Sequence, residues 1–192
     1  MGITYRGNTS FVVTNVPAVT GVVTTVGTAT LTAVVNSAST DELSQYVVGG
    51  TVKKIVTYKI TSTNNVPATI NRLVFNVTNA DSIQSVQIGS TTASVAGGVA
   101  DVNGLALAVP GTPAGITIPV TVTYSCFIGG NVGAGCNLTN SPVTPRDSQV
   151  TLTTVEAMSG GTSANLTALS LGSNVMKLVA SKPTVTVAAS VK

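Results

Sequence analysis

Apolar and polar residues alternate one for one along much of the chain, most clearly from Gly49 to Asn79. There Val56, Tyr58 and Ile60 interleave with Thr57, Lys59 and Thr61, and Leu73, Phe75 and Val77 interleave with Val74, Asn76 and Thr78. A period of two places each apolar set on one face of a strand. Between the runs, Thr63-Asn64-Asn65-Val66-Pro67 predicts a turn. Asn tolerates left-handed backbone angles, and Pro has no N–H to give to a ladder.

The same pattern recurs on both sides. Residues 1–27 read as an extended arm in which Phe11, Val12, Val13, Val22, Val23 and Val26 are apolar, and Pro17 and several glycines interrupt. Ala29, Leu31, Ala33 and Val35 predict a strand over 28–36. Ser37 to Gln45 holds the adjacent acids Asp41 and Glu42 and is the one place where a short helical turn, capped by Ser or Thr, is expected. Those carboxylates are expected to sit in a solvated loop, because a hard cation needs about six or more oxygen ligands.

Ser82 to Ile88 predicts a strand with Val86 and Ile88 inward, followed by a turn at Gly97-Gly98. Leu105, Leu107 and Val109 predict another, and Pro110 to Gly115 a tight loop. In the next run Ile116, Ile118, Val120, Val122 and Tyr124 share a face. Pro119 within it predicts an edge strand, or an N–H position turned away from the ladder. Further strands are expected at Val150–Leu152, Leu166–Leu171 and Val175–Ala180, with a loop from Met158 to Ser163. A last alternation places Val185, Val187, Ala189 and Val191 on one face. Short strands separated by Gly, Pro and Asn turns predict an all-β sandwich or barrel. The organisation expected is an arm (1–27), a β-domain (28–180) and a terminal strand (181–192).

Composition sharpens this picture. The chain has 192 residues, enough to bury a core. Only 8% are charged, against about 25% in ordinary soluble domains. Apolar residues make up 43% and the mean hydropathy is +0.46. No run approaches the roughly 18 apolar residues of a membrane helix. Solubility normally rests on a charged, patch-free surface. A chain this poor in charge therefore points to a surface of Thr, Ser and Asn, to apolar faces covered by neighbouring copies, or to both. The net charge of +3 comes from scattered Lys and Arg and forms no stripe suited to nucleic acid. Met1-Gly-Ile-Thr-Tyr-Arg does not read as a signal peptide, so processing before this numbering or assembly inside a cell, as for a virion, is expected.

Candidate chemistry is sparse. With no His and six dispersed acids, no catalytic residue, metal site or cofactor is predicted. Ser and Thr are plentiful but lack an evident activating partner. Cys126 and Cys136 flank a Gly-rich loop and are a candidate disulfide; closing so short a loop contributes roughly 2.7 kcal/mol in the chain-entropy model. The alternative is two free buried thiols. Asn8, Asn76, Asn137 and Asn165 stand in glycosylation sequons, of which chance matches are expected in a Thr- and Asn-rich chain.

One stretch resembles a known family. Gly50-Thr51-Val52 leads into Val56-Thr57-Tyr58-Lys59-Ile60-Thr61-Ser62-Thr63-Asn64-Asn65 and then Pro67-Ala68-Thr69-Ile70. Further on, Pro113-Ala114-Gly115 leads into Val120-Thr121-Val122-Thr123-Tyr124. Residues 46–126 thereby resemble the conserved-repeat immunoglobulin-like domain of bacterial and archaeal surface proteins. Asn79-Ala80-Asp81-Ser82 departs from the acidic, Pro-containing segment usual there. The resemblance implies an immunoglobulin-like antiparallel β-sandwich and a surface or structural role, with no catalytic residues. In that family a strand like 183–191 commonly opens the next repeat.

The function expected is that of a non-enzymatic, extracellular or cell-surface subunit that assembles with copies of itself. The terminal strand has three destinations: its own domain, a neighbouring subunit by strand addition, or a longer chain. Candidate inter-subunit anchors are Phe11, Val13, Val22 and Val26 in the arm and Val185, Val187, Ala189 and Val191 in the terminal strand. A head-to-tail contact that does not close generates a filament. Two other readings are a virion protein (capsid decoration or tail component) and an adhesion module contacting a glycan or host surface.

Overall fold

The computed structural model describes residues 27–126 and 146–179. Its strands are β1 (Leu31–Val35), β2 (Tyr46–Val48), β3 (Val52–Ser62), β4 (Ala68–Thr78), β5 (Ile83–Ile88), β6 (Thr91–Ala96), β7 (Val99–Val109), β8 (Ile116–Tyr124), β9 (Arg146–Ser159), β10 (Thr162–Ser163), β11 (Leu171–Gly172) and β12 (Met176–Val179). Among the described residues there is no α-helix, only 3-10 turns at Thr40–Glu42 and Ala80–Ser82. The chain is all-β, as its alternation predicts.

The strands form one large, mixed, curled sheet in the order β1-β3-β8-β5-β6-β7-β4-β9-β12-β2, with β10 and β11 also paired to β9. This corrects the expectation of purely antiparallel pairing, because β2 runs parallel to β12 (Tyr46↔Lys177 to Val48↔Val179). The cause is a crossing of the chain at Gly49-Gly50. The Gly49 N–H still bonds the Val179 carbonyl, whereas the Gly50 N–H already bonds that of Tyr124 in β8.

Tyr58 and Phe75 show what the curl achieves. β3 and β4 follow one another in sequence, yet β8, β5, β6 and β7 lie between them in the sheet. Their inward faces meet across the core instead, with the Tyr58 and Phe75 rings 6.3 Å apart. Both rings are fully buried, and the Tyr58 hydroxyl donates to the Leu171 carbonyl at 2.8 Å. The predicted inward set Val56, Tyr58, Ile60, Leu73, Phe75 and Val77 is buried throughout, in one cluster with Val86, Val120, Val122, Val150, Leu152 and Leu178.

Three β-bulges bend the long strands. One lies between Lys54 and Val56, where the extra residue lets Ile55 and Val56 both point inward. One lies on β4 at Ile70/Arg72, and one on β9, where Thr153 is the extra residue opposite Val74/Phe75. A bulge adds twist to its strand, which suits a sheet that must fold back on itself. β6 turns the corner: Thr91–Ser94 pair with β5, while Val95 and Ala96 pair with β7. Gly97 and Gly98, at φ 58° and 80°, close the β6–β7 hairpin in the left-handed geometry such tight turns require.

Several expectations need adjustment. Pro119 is not on an edge strand, since β8 lies between β3 and β5. β5 pairs only with Thr121 to Tyr124, however, so Pro119 faces no ladder on that side. Leu166–Leu171 is not a strand; it contributes one bridge, Leu166 to Val155, and the start of β11. β9 extends far beyond Val150–Leu152, and β6 joins the sheet although Thr91–Ala96 carries too weak an apolar face to predict it.

Candidate functional site

The strand order has two ends, β1 and β2. β2 is three residues long and offers little to pair with. β1 is five residues long and pairs only with β3, from Leu31↔Ser62 to Val35↔Tyr58. Its orientation follows from the bonds at its two flanks. The Thr63 N–H donates to the Thr30 carbonyl at 2.8 Å, and the Asn36 N–H to the Thr57 carbonyl at 2.7 Å. In an antiparallel pair, successive residues turn their backbone groups alternately toward and away from the partner. Even-numbered residues therefore bond β3, and the N–H and C=O groups of Leu31, Ala33 and Val35 point out of the sheet. These outward groups have no partner among the described residues.

Natural sheets protect such edges with charge, proline or bulges. β1 has none of these, and no charged residue occurs between Arg6 and Asp41. Its side chains add apolar surface: Val34 is 52% exposed and Val35 43%.

The chain leaving β1 is held down by an unexpected anchor. Glu42 is fully buried, which corrects the expectation of a solvated carboxylate. Its Oε2 accepts from the Ser39 N–H at 2.9 Å and its Oε1 from the Thr57 hydroxyl, while the Lys54 Nζ lies 3.6 Å away. Burial pushes its pKa up, but the hydrogen bonds from Thr57 and Ser39 and the Lys54 charge outweigh this, and the net shift is downward. The Glu42 carbonyl also accepts from Asn174 at 2.7 Å, so one residue ties the 3-10 turn to β3 and to the segment before β12. The sequence signal was the Ser39-to-Glu42 spacing, a capping-box pattern; the tertiary partners Thr57 and Asn174 had none.

A second polar cluster lies on the outer face of β4. Arg72 binds both oxygens of Asp101 at 2.7 Å and Glu156 at 2.5 Å, bracing β4 against β7 and β9. The bulge at Ile70/Arg72 turns this guanidinium outward between two carboxylates. All three side chains are about a third exposed or more, so solvent screens them.

The predicted site residues fall apart in space or outside the described regions. Cys126 is buried just past β8, and its candidate partner Cys136 lies outside the described residues. Asn76 points outward from β4 and Asn165 is exposed, with its Oδ1 accepting from the Ala157 N–H. Asn8 and Asn137, and the strand anchors Phe11, Val13, Val22, Val26, Val185, Val187, Ala189 and Val191, lie outside the described residues. Among the described residues no group of three His, Cys, Asp or Glu side chains is placed to hold a metal ion, and no helix is long and apolar enough to cross a membrane. Comparison of the chain with protein-family models, curated proteins and solved structures finds no match.

Proposed function

We propose that this protein is a non-enzymatic structural subunit that assembles with copies of itself into an extracellular surface filament. In this reading the described sheet is the body of an immunoglobulin-like sandwich of the conserved-repeat surface type. Strands from residues 1–27 or 181–192 of one copy complete the sheet of the next. One observation carries the reading: a chain with 8% charge and mean hydropathy +0.46 folds into a sheet whose β1 edge has no ladder partner among the described residues, and it carries a charge-free alternating segment, 183–191, beyond them. Strand addition satisfies such an edge through main-chain hydrogen bonds and alternate side-chain pockets.

Electron microscopy and size-exclusion chromatography of the full chain test this directly. Polymers are expected, and deleting residues 182–192 or 1–27 is expected to abolish them while leaving a folded β-sheet body. Polymerisation by both truncated chains would exclude strand exchange. Tight glycan binding by a monomer would favour an adhesion role instead.

A further inference from the structure

We infer that Asn103 is a site of spontaneous covalent modification, where the Gly104 backbone nitrogen closes on the Asn103 side chain and converts it, through a cyclic imide, to aspartate and isoaspartate. The inference is independent of the filament reading. Asn103 is the only asparagine in the chain that is followed by glycine. A branched side chain on the following residue crowds the attacking nitrogen, whereas glycine leaves it open to close approach.

The fold presents this dipeptide where the ladder between β7 and β4 is broken. Asn103 pairs with Arg72 and Leu107 with Ile70, so Gly104, Leu105 and Ala106 stand opposite Asn71 alone. On its other side β7 pairs with β6 only through Val99 and Ala100. Gly104 therefore has no register partner among the described residues. Its φ of 72° takes the chain out of extended geometry, and the space where a Cβ would stand is open. Val102 and Leu105 are buried on either side, while Asn103 and Gly104 are both exposed. A side chain pinned in a regular ladder cannot swing round to the next backbone nitrogen without breaking hydrogen bonds, and a bulge relaxes that restraint. Other asparagines are held differently. Asn64, Asn174 and Asn79 donate to the carbonyls of Thr28, Glu42 and Asp147. Asn76 is exposed, but it is paired to Val99 and Thr151 in the β4 ladders and followed by Val77.

The reaction balances with water as its sole co-reactant. The Gly104 nitrogen loses its proton and bonds to the Asn103 side-chain carbonyl carbon. The bond from that carbon to the amide nitrogen breaks, and ammonia leaves with the proton. Water then adds to one or the other imide carbonyl and cleaves its bond to the ring nitrogen. One opening gives aspartate, the other isoaspartate, and nothing is oxidised or reduced. The product places a new carboxylate beside the Arg72 cluster. Arg72, and after it the Asn103 side chain, hold the Asp101 carboxyl below its ordinary value against the opposing effect of burial. Conversion replaces that amide with a like charge and lowers the formal net charge of +3 by one.

The test incubates the full-length folded protein in neutral to mildly alkaline buffer and follows it by ion exchange and by peptide mapping with an isoaspartate-specific label. Acid at position 103 should form at least about tenfold faster than at Asn76, and at a rate within about tenfold of that in urea, because an exposed bulge opens locally at little cost in free energy. Part of the product should be isoaspartate, the mark of the imide route. Asn103→Gln keeps the amide at an exposed position but lengthens its side chain; it should remove the isoaspartate and leave the circular dichroism unchanged. Conversion confined to the unfolded chain, a rate at position 103 no faster than at Asn76, aspartate without isoaspartate, or isoaspartate undiminished in Asn103→Gln would each overturn the inference.

Discussion

A few residues do work that their type alone does not announce. Glu42 is a buried carboxylate with a lowered pKa, held by Thr57, Ser39 and Lys54. A carboxylate with a depressed folded pKa stabilises fully above its unfolded value and loses that contribution as pH falls through the folded value. Its stability is therefore expected to be complete above about 4.5, its ordinary value, and to fade in more acid solution. Glu42→Gln should cost about 1–3 kcal/mol at neutral pH, and the gap from the parent protein should close below pH about 4.5; urea unfolding across pH measures both. Gly115 is a second such residue. At φ 62°, an added Cβ would collide with the Ile60 carbonyl. Gly115→Ala combines left-handed strain with a backbone clash, so a loss of about 1–3 kcal/mol is expected in thermal or urea unfolding. Neither effect is visible in composition: Glu42 reads as surface, and Gly115 reads as one glycine among 19.

At the scale of elements, alternation identified the faces of strands with little error. Val56, Tyr58 and Ile60, like Ile118, Val120 and Val122, are inward as read. It said less about where strands end, because ends are set by partners. β9 runs for 14 residues since β4, β12, β10 and β11 all pair along it. Its last residue, Ser159, shows how ends are fixed. The Ser159 hydroxyl donates to the Pro67 carbonyl at 2.8 Å and accepts from the Ala29 N–H at 3.1 Å, linking β9 to the β3–β4 turn and to the approach to β1. Ser159→Ala leaves a buried N–H and a carbonyl unpaired, with an expected cost of about 1–3 kcal/mol. Hydrogen exchange should show faster opening near Ala29 and Pro67 than in the β4–β9 ladder. The outward side of β1 was equally hidden: alternation predicts the strand, but which of its backbone groups face away depends on β3 being its only ladder partner among the described residues.

For the whole molecule, apolar burial within one curled sheet outweighs charge. The ion pairs Arg72–Asp101, Arg72–Glu156, Arg146–Asp81 and Lys177–Asp147 are all substantially exposed. Exposed pairs contribute little and are screened by salt. The thermal midpoint should therefore hardly fall between low and moderate salt, whereas Phe75→Ala, in the centre of the core, should cost about 3–5 kcal/mol. Calorimetry over a salt series, run beside the variant, checks both; a steep salt dependence would mean that charge matters more than this structure allows.

The sequence by itself determined that the chain is made of strands and which face of the long alternating strands is buried. Those properties are local, set by a period of two and by the turn chemistry of Asn, Gly and Pro. Only the tertiary structure decided the neighbour order, the parallel β2–β12 pair, the meeting of Tyr58 with Phe75, and the burial of Glu42. Backbone ladders form through N–H and C=O groups that nearly every residue carries, so they leave almost no mark in sequence. Their partners lie tens of residues apart, and curl and bulges choose among them only when the whole sheet closes around its core.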